Sequence, residues 1–376
     1  MPKNANTSAA HSRNAFALGG LGGFNAHGVG FLQASLDSNV EPEIISCTSG
    51  QIYWSWRYLL QKNNEADPFS GEAVDMRTEL DQEIAKSNIF PEPLQWLDAS
   101  AMAMRGDPGI FSPAIEPFWK NLLSPYMPQS FDNLWKQFGD EILNRLMPAQ
   151  IFVSERSPES LTEIGRRFAA ESKIGIVFNA FDAPKGQEIL YINKRAQELL
   201  KTHKPDKYQH DQIHNDVRIQ VLDPENPQQL LEAVDGALWL YLYGFQGRNG
   251  KERTILDGAY HRQFVIRELA PAADRIFSVR PQSLEWNAKM PRNRLQVSNL
   301  ETQLWFNASY SGEVAHIELI NELLKKGHLP SQYRPIDLKP VEYETHIRFF
   351  DYFVERKNVY QDAYDHSTKL FKSIKE

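Results

Sequence analysis

Apolar and polar positions change period several times along the first sixty or so residues. "NAFAL" at 14–18 is a short apolar run and predicts a buried strand. "GGLGG" follows at 19–23, and then Val29, Phe31, Leu32 and Leu36 fall at helical spacing, predicting a helix over about 26–37. "EIISC" at 43–47 predicts a second strand, and a helix follows over about 50–61. Strand, helix, strand, helix is the pattern of a largely parallel sheet with crossover helices.

The rhythm breaks at 62–149, where Pro, Trp, Phe and Met accumulate without strand alternation. Short helices broken by prolines are expected there, forming either a cap or lid over the sheet or a second packing layer. Alternation then resumes. "QIFVS" at 150–154 reads as a strand, "PESLTEIGRRFAAES" as a helix capped by Ser157, and "KIGIVFNAFDA" with "QEILYIN" as two strands joined by a turn. "VRIQVL" at 217–222 predicts a strand, "NPQQLLEAVDGALWLYLY" a helix, 261–270 another helix and "DRIFSVRP" a further strand. Beyond 285 the pattern is mostly helical, and no internal repeat or low-complexity segment is present. The organisation expected is an α/β domain over 1–285, carrying a helical insertion at 62–149, with a helical extension over 286–376 packed on it.

Composition narrows the class. The 376 residues are 41% apolar and 24% charged, ordinary globular values. A net charge of −7 argues against a nucleic-acid partner. The single cysteine, Cys47, excludes an intramolecular disulfide and a multi-cysteine metal site. The first fifteen residues lack the apolar core of a signal peptide. The apolar runs, such as "GALWLYLYGF", stop near about ten residues, too short to span a bilayer. A soluble, cytoplasmic protein is expected.

Two turns carry candidate chemistry. A glycine cluster between strand and helix can cradle a pyrophosphate or aim backbone N–H groups at a developing oxyanion. The dinucleotide frame Gly-x-Gly-x-x-Gly fails here, because its last position is Asn25, and no Gly-Lys-Ser/Thr follows for a P-loop. An oxyanion loop, or a turn without a ligand, remains. The second turn is "CTSGQ" at 47–51, with Ser49 at the tip between strand and helix. A nucleophile elbow has this layout, although its usual frame is Gly-x-Ser-x-Gly. Ser49 is therefore a nucleophile, a relic of one, or a turn serine. Such a serine needs an adjacent base, and a carboxylate serves when burial raises its pKa toward the working pH.

The set "GLGGFN" at 20–25, "CTSGQ" at 47–51 and "DGA" at 257–259 resembles the patatin-like phospholipases, whose order is a glycine-rich loop, a serine elbow and an Asp-Gly. The resemblance covers about 13–60 and 150–282. It implies a three-layer α/β/α sheet and a Ser-Asp dyad: Ser49 as nucleophile, Asp257 as its base, and Gly20, Gly22, Gly23 and Gly50 around the oxyanion or substrate. It implies a lipid or other acyl-ester substrate and no metal or organic cofactor; it sets no oligomeric state, and the C-terminal helices, rich in Tyr, Phe and Lys, leave open dimerisation or peripheral contact with a membrane. The sequence departs at Cys47 and Gln51, where the elbow carries glycine, at Leu21 in the loop, and at Phe24 in place of Arg or Lys. Gly50 next to the serine offers a residue tolerant of unusual backbone angles, and the cytosolic phospholipase A2 branch is similar in having Ser-Gly followed by a non-glycine. The departures keep two other readings open: a non-catalytic lipid- or protein-binding module on the same fold, and an acyltransferase.

Other features weigh less. His210 and His214 share a helical spacing but lack the glutamate of a zinc helix. His27 lies beside the glycine loop, where it either packs or touches substrate, and "NASY" at 307–310 fits a glycosylation sequon. Trp96, Phe111, Phe118, Trp119, Tyr126, Phe131 and Trp135 form either a small helical core or a lipid-facing surface.

Overall fold

A computed structural model describes residues 13–21, 25–87, 111–113, 119, 150, 152–154, 156–201, 217–246, 252–281, 283–286, 290–292, 294–329, 334–341 and 355–375. Most of the 62–149 insertion, Gly22, Gly23, Phe24, His210 and His214 lie outside the described residues, as do all but Phe111 and Trp119 of the aromatic set above.

The chain begins with β1 (Asn14–Leu18), α1 (Ala26–Asp37), β2 (Pro42–Cys47) and α2 (Gln51–Lys62), within a residue or two of the boundaries the periodicity predicts. There follow α3 (Met76–Ser87), β3 (Phe111–Pro113), β4 (Phe152–Ser154), α4 (Pro158–Ala170), β5 (Gly175–Asp182), β6 (Gln187–Ile192), α5 (Lys194–Lys201), β7 (Val217–Val221), α6 (Pro227–Ala237), β8 (Ile255–Asp257), β9 (Arg275–Val279), α7 (Arg294–Lys325), β10 (Asp337–Val341) and α8 (Lys357–Lys375). The Ser157 side chain caps α4 by accepting from Ser160 N–H at 3.1 Å, as the sequence predicts.

The main sheet has eight strands, in the order β10-β9-β1-β2-β5-β6-β7, with β8 paired to β5. Pairing is parallel except where β6 and β8 run antiparallel to β5. Alternation along β1 and β2 divides the core. Phe16, Leu18, Ile45 and Cys47 face the layer built from α1, α2, α4, α6 and α8. Ala15, Ala17 and Ile44 face the layer of α5, the 264–273 segment and α7. This is a three-layer α/β/α fold around a mostly parallel sheet, the expected class.

Three expectations need correction. The 150–154 strand exists as β4, but among the described residues it pairs with β3 in a separate two-stranded sheet and does not join the main one. Instead of a helix over 261–270 there is one short 3-10 turn, Arg267–Leu269. Phe264, Val265 and Ile266 are buried, and Glu313 of α7 accepts from the N–H groups of Ile266 and Arg267. Tertiary contacts thus satisfy backbone groups that a helix would have satisfied itself. The helix "NPQQLLEAVDGALWLYLY" stops at Ala237, because the chain turns to bring Trp239 O to Asp257 N–H at 2.9 Å. Beyond 285 the described residues are mostly helical, and β10 adds a strand to the sheet beside β9. α8 returns to pack along α1, with Phe31 and Phe371 rings 5.3 Å apart.

Candidate active site

Topology brings the two principal candidates together. β5 is eight residues long, and its first half pairs with β2, ending at Cys47 opposite Phe178. Farther along the same strand β8 pairs with it, placing Asp257 opposite Ala180. Asp257 therefore lies just beyond the end of β2, where the chain turns through Thr48, Ser49 and Gly50 into α2. This is the carboxyl end of the parallel strands, where open α/β sheets place their sites.

Ser49 has φ of 56°, in the left-handed region that costs a residue with a Cβ about 1–2 kcal/mol. Asn39 and Asn64 are the other described non-glycine residues there, and asparagine tolerates it better. A strained serine between strand and helix is the mark of an elbow. The strain lies on the serine itself. Gly50 has ordinary helical angles (φ −55°, ψ −22°), so its expected role as the tolerant residue is corrected. What glycine provides here is proximity. A Cβ on Gly20 would stand 2.2 Å from Thr48 O and 2.8 Å from the nitrogens of Gly50 and Gln51. The glycine loop thus lies directly against the elbow. Leu21 N–H donates to Asn25 Oδ1 at 3.3 Å, whereas Gly20 N–H and Gly50 N–H have no acceptor among the described residues.

Asp257 is fully buried. Its Oδ1 accepts from Ala259 N–H at 2.9 Å. Burial pushes its pKa up to about 7, against the opposing pull of the Ser49 hydroxyl and the Ala259 N–H. The Ser49 hydroxyl opposes the rise in this carboxyl's pKa, and Oδ2 has no hydrogen-bond partner among the described residues. Gly258 allows a close approach to β5. A Cβ there would meet the Asn179 side chain at 2.3 Å.

Among the described residues, no imidazole is placed to serve the serine. His27 is buried, its Nε2–H donates to Gly19 O at 2.8 Å, and burial lowers its pKa to about 4, so it is neutral. His261 stacks on Phe181 with centroids 4.9 Å apart. The Cys47 thiol is buried and pushed up to about 12 by desolvation, inert as a nucleophile.

Gln51, at the position of the missing elbow glycine, is also fully buried. Its Nε2 donates to Asn25 O at 3.0 Å, and its amide fills the space above Gly28 of α1, where a Cβ would lie 2.2 Å from it. The glycine that lets the two helices approach has moved from α2 to α1.

Several supporting residues escaped sequence reading. Thr48 Oγ1 donates to Asn179 Oδ1 at 2.9 Å, and Asn179 Nδ2 donates to Glu188 Oε1 and Arg262 O. Arg262 is buried and pairs with Glu188, Glu268 and Glu313. This network ties the elbow to the segment after Asp257. Polar residues inside the apolar runs "GIVFNAFD" and "QEILYI" were the available signal. The sequon residue Asn307 is buried and bonded to Arg280, Ser283 and Leu284. Among the described residues no group of side chains could hold a metal ion, and no helix is long and apolar enough to cross a membrane.

No family model matches the sequence, and no curated protein matches it. Among solved structures, the crystal structure of VipD from Legionella pneumophila is similar at a TM-score of 0.29 and 11% identity, covering 96% of this chain and 67% of that one. At that distance the chemistry must come from the residues themselves.

Proposed function

We propose that the protein is a serine acyl-ester hydrolase of the patatin-like kind, acting on a lipid or other acyl ester through Ser49 and Asp257. The observation that carries this reading is a serine held at positive φ beside a fully buried aspartate whose pKa is raised to about 7. A carboxylate in that range is a competent base at neutral pH.

In this mechanism Ser49 Oγ attacks the ester carbonyl carbon and its proton passes to Asp257. The oxyanion of the tetrahedral intermediate is held by Gly20 N–H and Gly50 N–H, at the start of α2, whose positive end favours negative charge. Gly22 and Gly23 would complete that loop. The intermediate collapses, and the leaving alcohol takes the proton from Asp257. Water then attacks the acyl-enzyme, giving a proton to Asp257. The acid departs, and Ser49 recovers its proton. The neutral, internally bonded His27 takes no part.

The test is fluorophosphonate labelling of wild type, Ser49→Ala and Asp257→Ala. Wild type is expected to label, Ser49→Ala not at all, and Asp257→Ala at least about 100-fold more slowly. Folded wild type that neither labels nor cleaves acyl esters, with or without detergent micelles, would overturn the reading and leave a binding module.

A further inference from the structure

Asn25 joins three separated parts of the chain. Its Oδ1 accepts from Leu21 N–H in the glycine loop at 3.3 Å, and its carbonyl accepts from Gln51 Nε2, two residues past Ser49, at 3.0 Å. Its own N–H donates to both carboxylate oxygens of Glu355 at 2.8 Å, and Ala26 N–H donates to Glu355 Oε2 at 2.8 Å. Glu355 lies 330 residues away, two positions before α8, and is almost wholly buried. Burial and the nearby Glu83 carboxyl raise its pKa well above the usual range, against the opposing pull of the two N–H groups and the Asn25 side chain. A carboxyl held at such a cost in desolvation has a specific use for its acceptors. Here that use is the first turn of α1, which the glycine loop enters and against which Gln51 rests.

We propose that Glu355 is a positioning residue for the Ser49 site. It pins the start of α1 and, through Asn25, sets the glycine loop and the Gln51 side chain, so that Gly20 N–H stays beside Gly50 N–H. The α8 arm then belongs to the catalytic unit as more than a packing layer. This rests on the hydrolase reading, because what is positioned is an oxyanion donor. Glu355 touches no reacting atom, so its loss should slow the covalent step without weakening probe binding.

The experiment uses the full chain carrying Glu355→Ala or Glu355→Gln. Fluorophosphonate labelling is followed across probe concentrations to separate maximal rate from affinity, and amide exchange is read over peptides spanning 18–30. Glu355→Ala is expected to lower the maximal labelling rate by roughly tenfold or more with affinity unchanged, since misplacement of about 1 Å costs up to about 100-fold. Amides of Asn25 and Ala26 should exchange faster. Glu355→Gln, which keeps one acceptor oxygen, should fall between the two. Wild-type labelling by folded Glu355→Ala, or a loss of affinity alone, overturns the proposal. If Glu355→Ala does not fold, Glu355→Gln decides: slowed labelling supports the role and a wild-type rate overturns it. If wild type itself neither labels nor cleaves acyl esters, with or without micelles, the hydrolase reading has failed, and the exchange data judge the pinning separately: unchanged exchange overturns it as well, faster exchange supports it.

Discussion

The two strand-to-helix turns at the head of the sheet solve opposite problems. The turn from β2 to α2 is three residues long and holds its backbone strain on Ser49. The turn from β1 to α1 is longer and is fastened by side chains: His27 to Gly19 O, Gln263 to Gly20 O, Asn25 to Leu21 N–H. The first turn is tight yet carries only one glycine; the space it and α2 need is provided by glycines of the second turn and of α1. Gly20 makes room for its backbone and Gly28 for its Gln51 side chain. A close approach constrains a pair of positions, and either member can be the small one.

The largest test of that division is Gly20→Ala. Its Cβ would drive into backbone atoms, which cannot yield as a side chain can. We expect labelling at Ser49 to vanish and stability to fall by about 3 kcal/mol in denaturant titration. An active Gly20→Ala would mean that the two turns are not in contact.

Next is the exchange of small residues between helices. Gly28→Ala alone should cost about 2 kcal/mol by crowding the Gln51 amide. In a Gln51→Ala background the same change should be neutral or stabilising, because alanine is the better helix former by about 1 kcal/mol. A double-mutant cycle with coupling below about 0.5 kcal/mol would break the pairing.

Titration separates the turns further. His27, lowered to about 4, should give no limb in the neutral range, while Asp257 should give one near pH 7. As base, Asp257 must lose its proton, so kcat/KM should rise with pH through about 7. Its effect on stability has the opposite sign. A folded pKa raised above the unfolded 3.8 means stability present below that value and lost as pH rises through about 7. Asp257→Asn should therefore be the more stable protein at pH 8, by about 1–3 kcal/mol, with the gap closing at pH 4. A gap independent of pH would show that the carboxyl is not the cause. The smallest effect is expected at Cys47: alkylating reagents should leave the buried thiol untouched in native protein, and Cys47→Ala should change labelling less than about threefold.

What was legible in the sequence followed the range of the interactions. β1, α1, β2 and α2 were visible because each buries a face whose period is local. Ser49 and Asp257 were visible as turn residues in a resembling order. The Gly28–Gln51 exchange spans two elements, and the bonds to Glu355 span 330 residues, so no window of sequence contains them. β10 was hidden by Lys339 and Pro340, which spoil a strand pattern but suit an edge. The 261–270 run misled because its apolar residues are buried by α7 and by Ser46, whose hydroxyl donates to Val265 O at 2.7 Å, rather than along a helical stripe.

The pairing of α1 with α8 has a consequence during synthesis. Phe31 waits for Phe371, and Gly30 for the backbone at Tyr360. A chain leaving the ribosome from its amino end makes both turns of the site early, but cannot cover the outer face of α1 until some 340 further residues have followed. At about 5–20 residues per second that interval is tens of seconds, with an apolar helix exposed throughout. Through that interval the apolar outer face of α1 is open to other chains, so the order of synthesis, more than the finished fold, sets how exposed this region is to misassembly.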